Sequence, residues 1–130
     1  MNAPLPAPAL GGVHASSGQH LLADLGGIAP ERLRDAAAID TLLRAAAEAA
    51  GARVLHSHFH SFGPGLGVTG VVLLAESHIS IHTWPETGFA AVDIFMCGQA
   101  EPQRALALIC ASLAPQRQRA QLVGRSSAGL

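Results

Sequence analysis

Apolar and polar positions change their period along this chain, and the changes divide it into elements. Residues 20–28, HLLADLGGI, are compatible with a short strand that the Gly26–Gly27 pair ends, after which Pro30 suits the first turn of a helix. From Glu31 onward, Ile39, Leu42, Leu43, Ala46, Ala47 and Ala50 recur at steps of three and one, which puts one apolar stripe on a helix closed by Gly51. Residues 53–62 form a β-compatible run. The turn-forming GPGLG at 63–67 follows, then an unbroken apolar run at 68–74, expected to be a strand buried on both faces and paired in a hairpin with the run before it. Residues 78–84 alternate with period two, and 89–97 are β-compatible with one isolated carboxylate, Asp93. Pro102 opens a second helix with a stripe of Leu106, Ile109, Cys110 and Leu113, Pro115 stops it, and 120–123 form a last edge strand.

These elements predict an α+β fold: a two-layer α/β sandwich of mainly antiparallel sheet, order β-α-β-β-β-α-β, with two helices on one face. The other face needs cover from elsewhere, and a partner subunit supplies it. Residues 1–18 are rich in Pro, Ala, Gly and Ser, so a disordered tail is expected there and a single domain over 19–130.

Composition narrows the chemistry. The chain has 130 residues, 49% apolar and 13% charged, enough for one domain. A formal net charge of −1 offers no basic excess for nucleic acid, and no apolar run approaches membrane-spanning length. All eight basic residues are arginine. Without lysine there can be neither a pyridoxal-phosphate Schiff base nor a P-loop, so no pyridoxal phosphate is expected. Two cysteines without CxxC spacing fit a reducing compartment, and a cytoplasmic location is expected. The seven histidines concentrate between His56 and His82, where groups titrating near neutrality can do acid–base work. His56, His58 and His60 share one face of a strand, which leaves a histidine-rich metal-binding module as a distant alternative; a polar sheet face is the preferred reading, with no metal.

The densest reactive cluster is ESHISIHTWPE at 76–86, preceded by GVTGVVLLA and followed by FAAVDIFMCG. These runs resemble the core of the prokaryotic S-adenosylmethionine decarboxylase proenzyme, a pyruvoyl-dependent family. The resemblance is closest over 59–98 and implies cleavage by the protein itself between Glu76 and Ser77. Ser77 Oγ attacks the Glu76 carbonyl, the resulting ester undergoes β-elimination, and hydrolysis of the dehydroalanine releases ammonia and leaves a pyruvoyl group at residue 77. That group forms a Schiff base with the substrate amine and accepts electrons as carbon dioxide leaves.

The resemblance also assigns His82 as processing base, Thr69 as a hydroxyl assisting the acyl shift and Cys97 as proton donor to the decarboxylated carbon. It assigns Phe62 to adenine stacking, Glu86 to the ribose hydroxyls and Ile79 to the lining of the site. Cys110, on a helix stripe, is expected to be a packing residue. The loop after Phe62 is one residue longer than the family pattern, so the same machinery acting on ornithine or arginine is the nearer alternative. The family's product is the aminopropyl donor for spermidine synthesis. Its sites lie at the interface of a symmetric assembly, so a homo-oligomer of cleaved protomers, dimer at least, is expected. Ser77 and His82 are five residues apart and would face opposite sides of a continuous strand, so a turn or strained peptide at Glu76–Ser77 is expected.

Overall fold

A computed structural model describes residues 15–130; most of the expected tail, 1–14, lies outside the described residues. Eight principal elements follow in order: β1 (Ser17–Gly26), α1 (Ala36–Ala49), β2 (Val54–Ser61), β3 (Val68–Leu74), β4 (Ser77–Trp84), β5 (Phe89–Cys97), α2 (Pro102–Leu113) and β6 (Arg117–Ser126). The strands form one antiparallel sheet in the order β2-β3-β4-β5-β1-β6. The helices pack on each other and on one face, giving the expected α+β two-layer sandwich.

Four strands, β2 to β5, separate the helices; they match the four β-compatible runs at 53–62, 68–74, 78–84 and 89–97, whereas the expected order counted only three, and β4 and β5 are joined at a 3₁₀ turn, Pro85–Thr87. The first strand begins at Ser17, inside the expected tail, and its partners on both sides, β5 and β6, account for its length. It ends at Gly26, before a Gly27 at φ +68°; Ile28 lies beyond the strand, its N–H bonded to the Gly88 carbonyl. Pro30 opens only a 3₁₀ turn, Pro30–Arg32, while α1 starts later because the Asp35 carboxylate accepts the Ala38 N–H at 3.1 Å and satisfies an orphan donor. At its other end, α1 gives way to Ala50 and then Gly51 at φ +90°.

The core lies between helices and sheet. Ile39, Leu43, Ala46 and Ala47 of α1, with Ala105, Ile109 and Leu113 of α2, cover the alternate positions Leu21, Ala23, Leu25, Val72, Ile79, Ile81, Val92 and Ile94. Gly70 makes room on β3 for the Phe59 ring, which lies 1.9 Å from where a Cβ would stand. Thr83 is the buried polar exception; its hydroxyl accepts from Val68 N–H at 2.8 Å and donates to the Leu33 carbonyl at 2.6 Å. Both bonds satisfy the hydroxyl and tie the chain before α1 to β4.

The opposite face is bare in the single chain. Contrary to the expectation of burial on both faces, β3 buries only Val68, Gly70, Val72 and Leu74, while Leu73 is 46% exposed, because both helices are on the other side. Leu22 and Trp84 on this open face are 42% exposed each. Among the described residues no helix is long and apolar enough to cross a membrane.

Candidate functional site

The β3–β4 hairpin turns through only Ala75 and Glu76, so Leu74 pairs with Ser77 directly. Glu76 has φ +61°, a left-handed conformation costly for a residue with a Cβ, and the expected strain therefore falls on the residue before Ser77. Cys97, at the end of β5, reaches both sides of this peptide. Its N–H donates to Ser77 Oγ at 3.2 Å and its thiol donates to the Glu76 carbonyl oxygen at 3.2 Å. A donor on that oxygen polarises the carbonyl toward attack, while the backbone N–H holds the hydroxyl beside it. A cavity of about 320 Å³ at this end of the sheet is lined by His20, Glu76, Ser77, His78, Phe95 and Arg125.

The other expected residues gather at the far end of β4. Thr69 pairs with His82 across β3 and β4, and Thr69 Oγ1 lies 3.0 Å from His82 Nδ1 in a hydrogen bond. Both line a second cavity, of about 310 Å³, with Phe62, Leu66, Gly67, Thr83, Trp84 and Glu86. Phe62 stands outside β2, 57% exposed, its ring against His60 edge to face at 4.7 Å, so it is no core aromatic. The longer loop after it closes by Phe62 N–H on the Gly67 carbonyl and Leu66 N–H on the Gly63 carbonyl, and keeps the ring at the cavity. Ser77 and His82 are five residues apart on one extended strand, roughly 16 Å at ~3.3 Å per residue, so one chain does not bring them together. Ile79 corrects an expectation: strand alternation turns it to the helix side, fully buried in the core, so its role is packing and not lining a site.

His56, His58 and His60 do face one way, on the open side of β2, yet they do not converge as metal ligands. Among the described residues the group close enough to hold an ion is His20, His78 and Asp93, from β1, β4 and β5. Here the groups engage one another. Asp93 bonds His20 Nε2 through Oδ1, and through Oδ2 it bonds His78 Nε2 at 2.9 Å and the Ser80 hydroxyl at 3.3 Å. Burial pushes the Asp93 carboxyl up, but the hydrogen bonds and charges of His78 and His20 outweigh it and hold the group below the usual aspartate value. Arg125 Nη1 lies 3.1 Å from His20 Nδ1.

Sequence reasoning noted Asp93 only as an isolated carboxylate, and missed His20, His78, Arg125 and Trp84 as cavity residues. The lone charge inside the apolar run 89–97 is a signal that polar partners must surround Asp93, but it does not say which, and it bears no relation to Trp84. Burial raises the Cys110 thiol above its ordinary value, and it donates to Gln118 Oε1 at 3.1 Å, in keeping with the packing role expected of it.

Comparison with known proteins accords with this geometry. The family model described as S-adenosylmethionine decarboxylase matches residues 19–126. An S-adenosylmethionine decarboxylase proenzyme of Parasynechococcus marenigrum is 50% identical over 101 residues, 77% of this chain and 78% of that protein. Another, of Pyrobaculum islandicum, is 43% identical over 116 residues, 88% of this chain and 93% of that protein. The crystal structure of the adenosylmethionine decarboxylase from Aquifex aeolicus superposes with a TM-score of 0.77 at 42% identity, over 86% of this chain and 92% of that one. With a family model spanning nearly all the described residues and relatives this similar in sequence and fold, the chain belongs to the S-adenosylmethionine decarboxylase family.

Proposed function

We propose that this protein is a self-processing decarboxylase of S-adenosylmethionine that makes its pyruvoyl prosthetic group from Ser77 and yields the aminopropyl donor for spermidine synthesis. The observation that carries the reading is Cys97 on both sides of the Glu76–Ser77 peptide, with Glu76 already at φ +61°. The junction fits the group, because residue 77 ends a two-residue turn, opens on a cavity and has its hydroxyl held by the Cys97 N–H.

In processing, Ser77 Oγ attacks the Glu76 carbonyl carbon, the C–N bond breaks, and the freed amine takes a proton. A base then removes the Ser77 α-proton, and the Glu76 carboxylate leaves as the C–O bond breaks. Water replaces nitrogen at the resulting enamine, releasing ammonia. Once formed, the pyruvoyl carbonyl supplies the electron sink that decarboxylation needs in a chain without lysine. Cys97 Sγ holds a proton beside this position and delivers it to the substrate α-carbon after the carboxylate departs.

The remaining roles require a second chain. His82 and Thr69 form a base–hydroxyl pair, and Phe62, Trp84 and Glu86 offer aromatic faces and a carboxylate suited to a nucleoside, yet all stand at the end of β4 away from Ser77. A two-fold pairing of open sheet faces sets the Ser77 end of one chain against the Phe62 end of the other, completes two identical sites and covers the exposed apolar side chains. His82 then serves as the processing base in trans, with Thr69 hydrogen-bonded to it.

Intact mass of purified protein tests the reading. Fragments 1–76 and 77–130 are expected, the second lighter by one ammonia than a serine-initiated chain, whereas Ser77→Ala stays whole and inactive. An uncut chain with full activity refutes the proposal.

A further inference from the structure

Cutting the 76–77 bond makes residue 77 a chain terminus and His78 the residue that carries it, so any role for His78 at that terminus rests on the processing proposed above. In the intact chain the two-residue turn ties the start of β4 to β3. Cleavage removes that tie, and a strand end held only by its ladder frays unless something fastens it. A frayed end would let the reactive carbonyl wander from the Cys97 thiol.

His78 is fastened by its side chain. Its Nε2 bonds Asp93 Oδ2 on β5, a diagonal neighbour since Ser80 stands directly opposite Asp93. Asp93 Oδ1 bonds His20 Nε2 on β1, and Arg125 on β6 reaches His20 Nδ1. The direction of each bond follows from chemistry. A guanidinium only donates, so His20 Nδ1 accepts, its proton is on Nε2, and that N–H donates to Asp93. The carboxylate accepts in turn from His78 Nε2–H and from the Ser80 hydroxyl. Phe95 packs against both imidazoles, 5.4 Å from the His20 ring and 5.9 Å from the His78 ring, and the two imidazoles meet each other edge to face at 5.9 Å. With His20 Nε2 protonated, its lone pair is not presented to a metal. The array reaches from the edge strand β6 to β4, and three of its members, His20, His78 and Arg125, line the cavity at Ser77.

We infer that His78, Asp93 and His20 form an anchor that holds the new chain end in place after self-cleavage. These are positioning residues, which act through residue 77 and become important only once the turn is cut.

Hydrogen exchange across residues 77–84 tests this in four chains: the cut wild type, the cut Asp93→Asn, and uncut Ser77→Ala with and without Asp93→Asn. The two uncut chains should protect these amides to within about threefold of each other, while cut Asp93→Asn should lose tenfold or more against the cut wild type. Its kcat should fall at least tenfold with KM changed less, and His78→Gln, which keeps a donor at similar reach, should recover part of what His78→Ala loses. Equal loss of protection in cut and uncut chains, an unchanged kcat, or stoichiometric metal in the wild type that Asp93→Asn abolishes each overturns the anchor. If Asp93→Asn does not fold, His20→Ala replaces it in the same comparison, with a smaller loss confined to the cut chain. A wild type that stays uncut refutes the processing reading together with the anchor, while a cut and active wild type with no cut-specific loss refutes the anchor alone.

Discussion

At the residue scale, Cys97 and Asp93 show how much a single side chain does through the neighbours its strand provides. Cys97 touches the Glu76–Ser77 peptide through both its backbone and its thiol, so substitution separates two contacts. The backbone donor to Ser77 survives in Cys97→Ser, and cleaved chain should still form, though more slowly. Turnover should drop by about 10²-fold or more, since a hydroxyl is a far weaker acid than a thiol. Protonation at the wrong carbon should then leave alanine at the start of the 77–130 fragment, which sequencing that fragment detects; wild-type turnover without alanine removes Cys97 from the chemistry. Asp93 has a depressed carboxyl, burial being outweighed by His78 and His20. A carboxyl whose folded pKa lies below its unfolded value contributes stability above the unfolded pKa and loses that contribution as pH falls through the folded one. Denaturant midpoints should therefore favour the wild type over Asp93→Asn at neutral pH, and the difference should shrink below about pH 4, where aspartate begins to titrate in the unfolded chain.

At the element scale, the β3–β4 hairpin combines a regular ladder with an irregular turn. Its register sets Thr69 beside His82 and Leu74 beside Ser77, and two-residue closure forces Glu76 to positive φ. A residue with a Cβ held there carries strain on the order of 1–2 kcal/mol. Glu76→Gly should therefore stabilise the uncut Ser77→Ala chain by about 1 kcal/mol in urea melts and slow cleavage in the chain that keeps Ser77. Unchanged stability and an unchanged cleavage rate would show that the turn stores nothing used in processing. The GPGLG loop at the other end is likewise held by close approach, because a Cβ on Gly67 would stand 2.1 Å from the Thr83 carbonyl oxygen, just where Phe62 and Glu86 share a cavity.

At the scale of the whole molecule, one chain holds two half-sites. Ser77 and Cys97 stand at one end of the sheet, His82, Phe62 and Glu86 at the other, and in the proposed dimer a second copy turned end for end would join them. His82→Ala alone should stop after the acyl shift, at an ester that hydroxylamine cuts. Ser77→Ala alone stays whole. Co-expressed, the two should cooperate: the intact His82 of the Ser77→Ala chain acts on Ser77 of its partner, and cleaved His82→Ala chain should appear to an extent set by the mixed-dimer fraction. Absence of cleavage in a confirmed mixed dimer would put His82 back to work on its own chain.

What the sequence determined by itself was everything local in period or motif. The apolar stripe at 39–50 specified α1, alternation at 78–84 specified β4, and the ESHISIHTWPE run pointed to the family, because helix and strand periods and a contiguous motif are written in neighbouring residues. The strained peptide expected at Glu76–Ser77 is present at Glu76, yet β4 runs unbroken from Ser77 to Trp84, so the opposite parity of Ser77 and His82 is not relieved within one chain. The tertiary structure decided which distant residues meet. Nothing in the spacing of His20, His78, Asp93 and Arg125 announces a hydrogen-bonded array, because a β1 strand inserted between β5 and β6 brings together positions up to 105 residues apart. The same packing assigned Ile79 to the core and left β3 bare on one side: both helices lie on a single face, and which face they cover depends on chain crossings that no local pattern encodes.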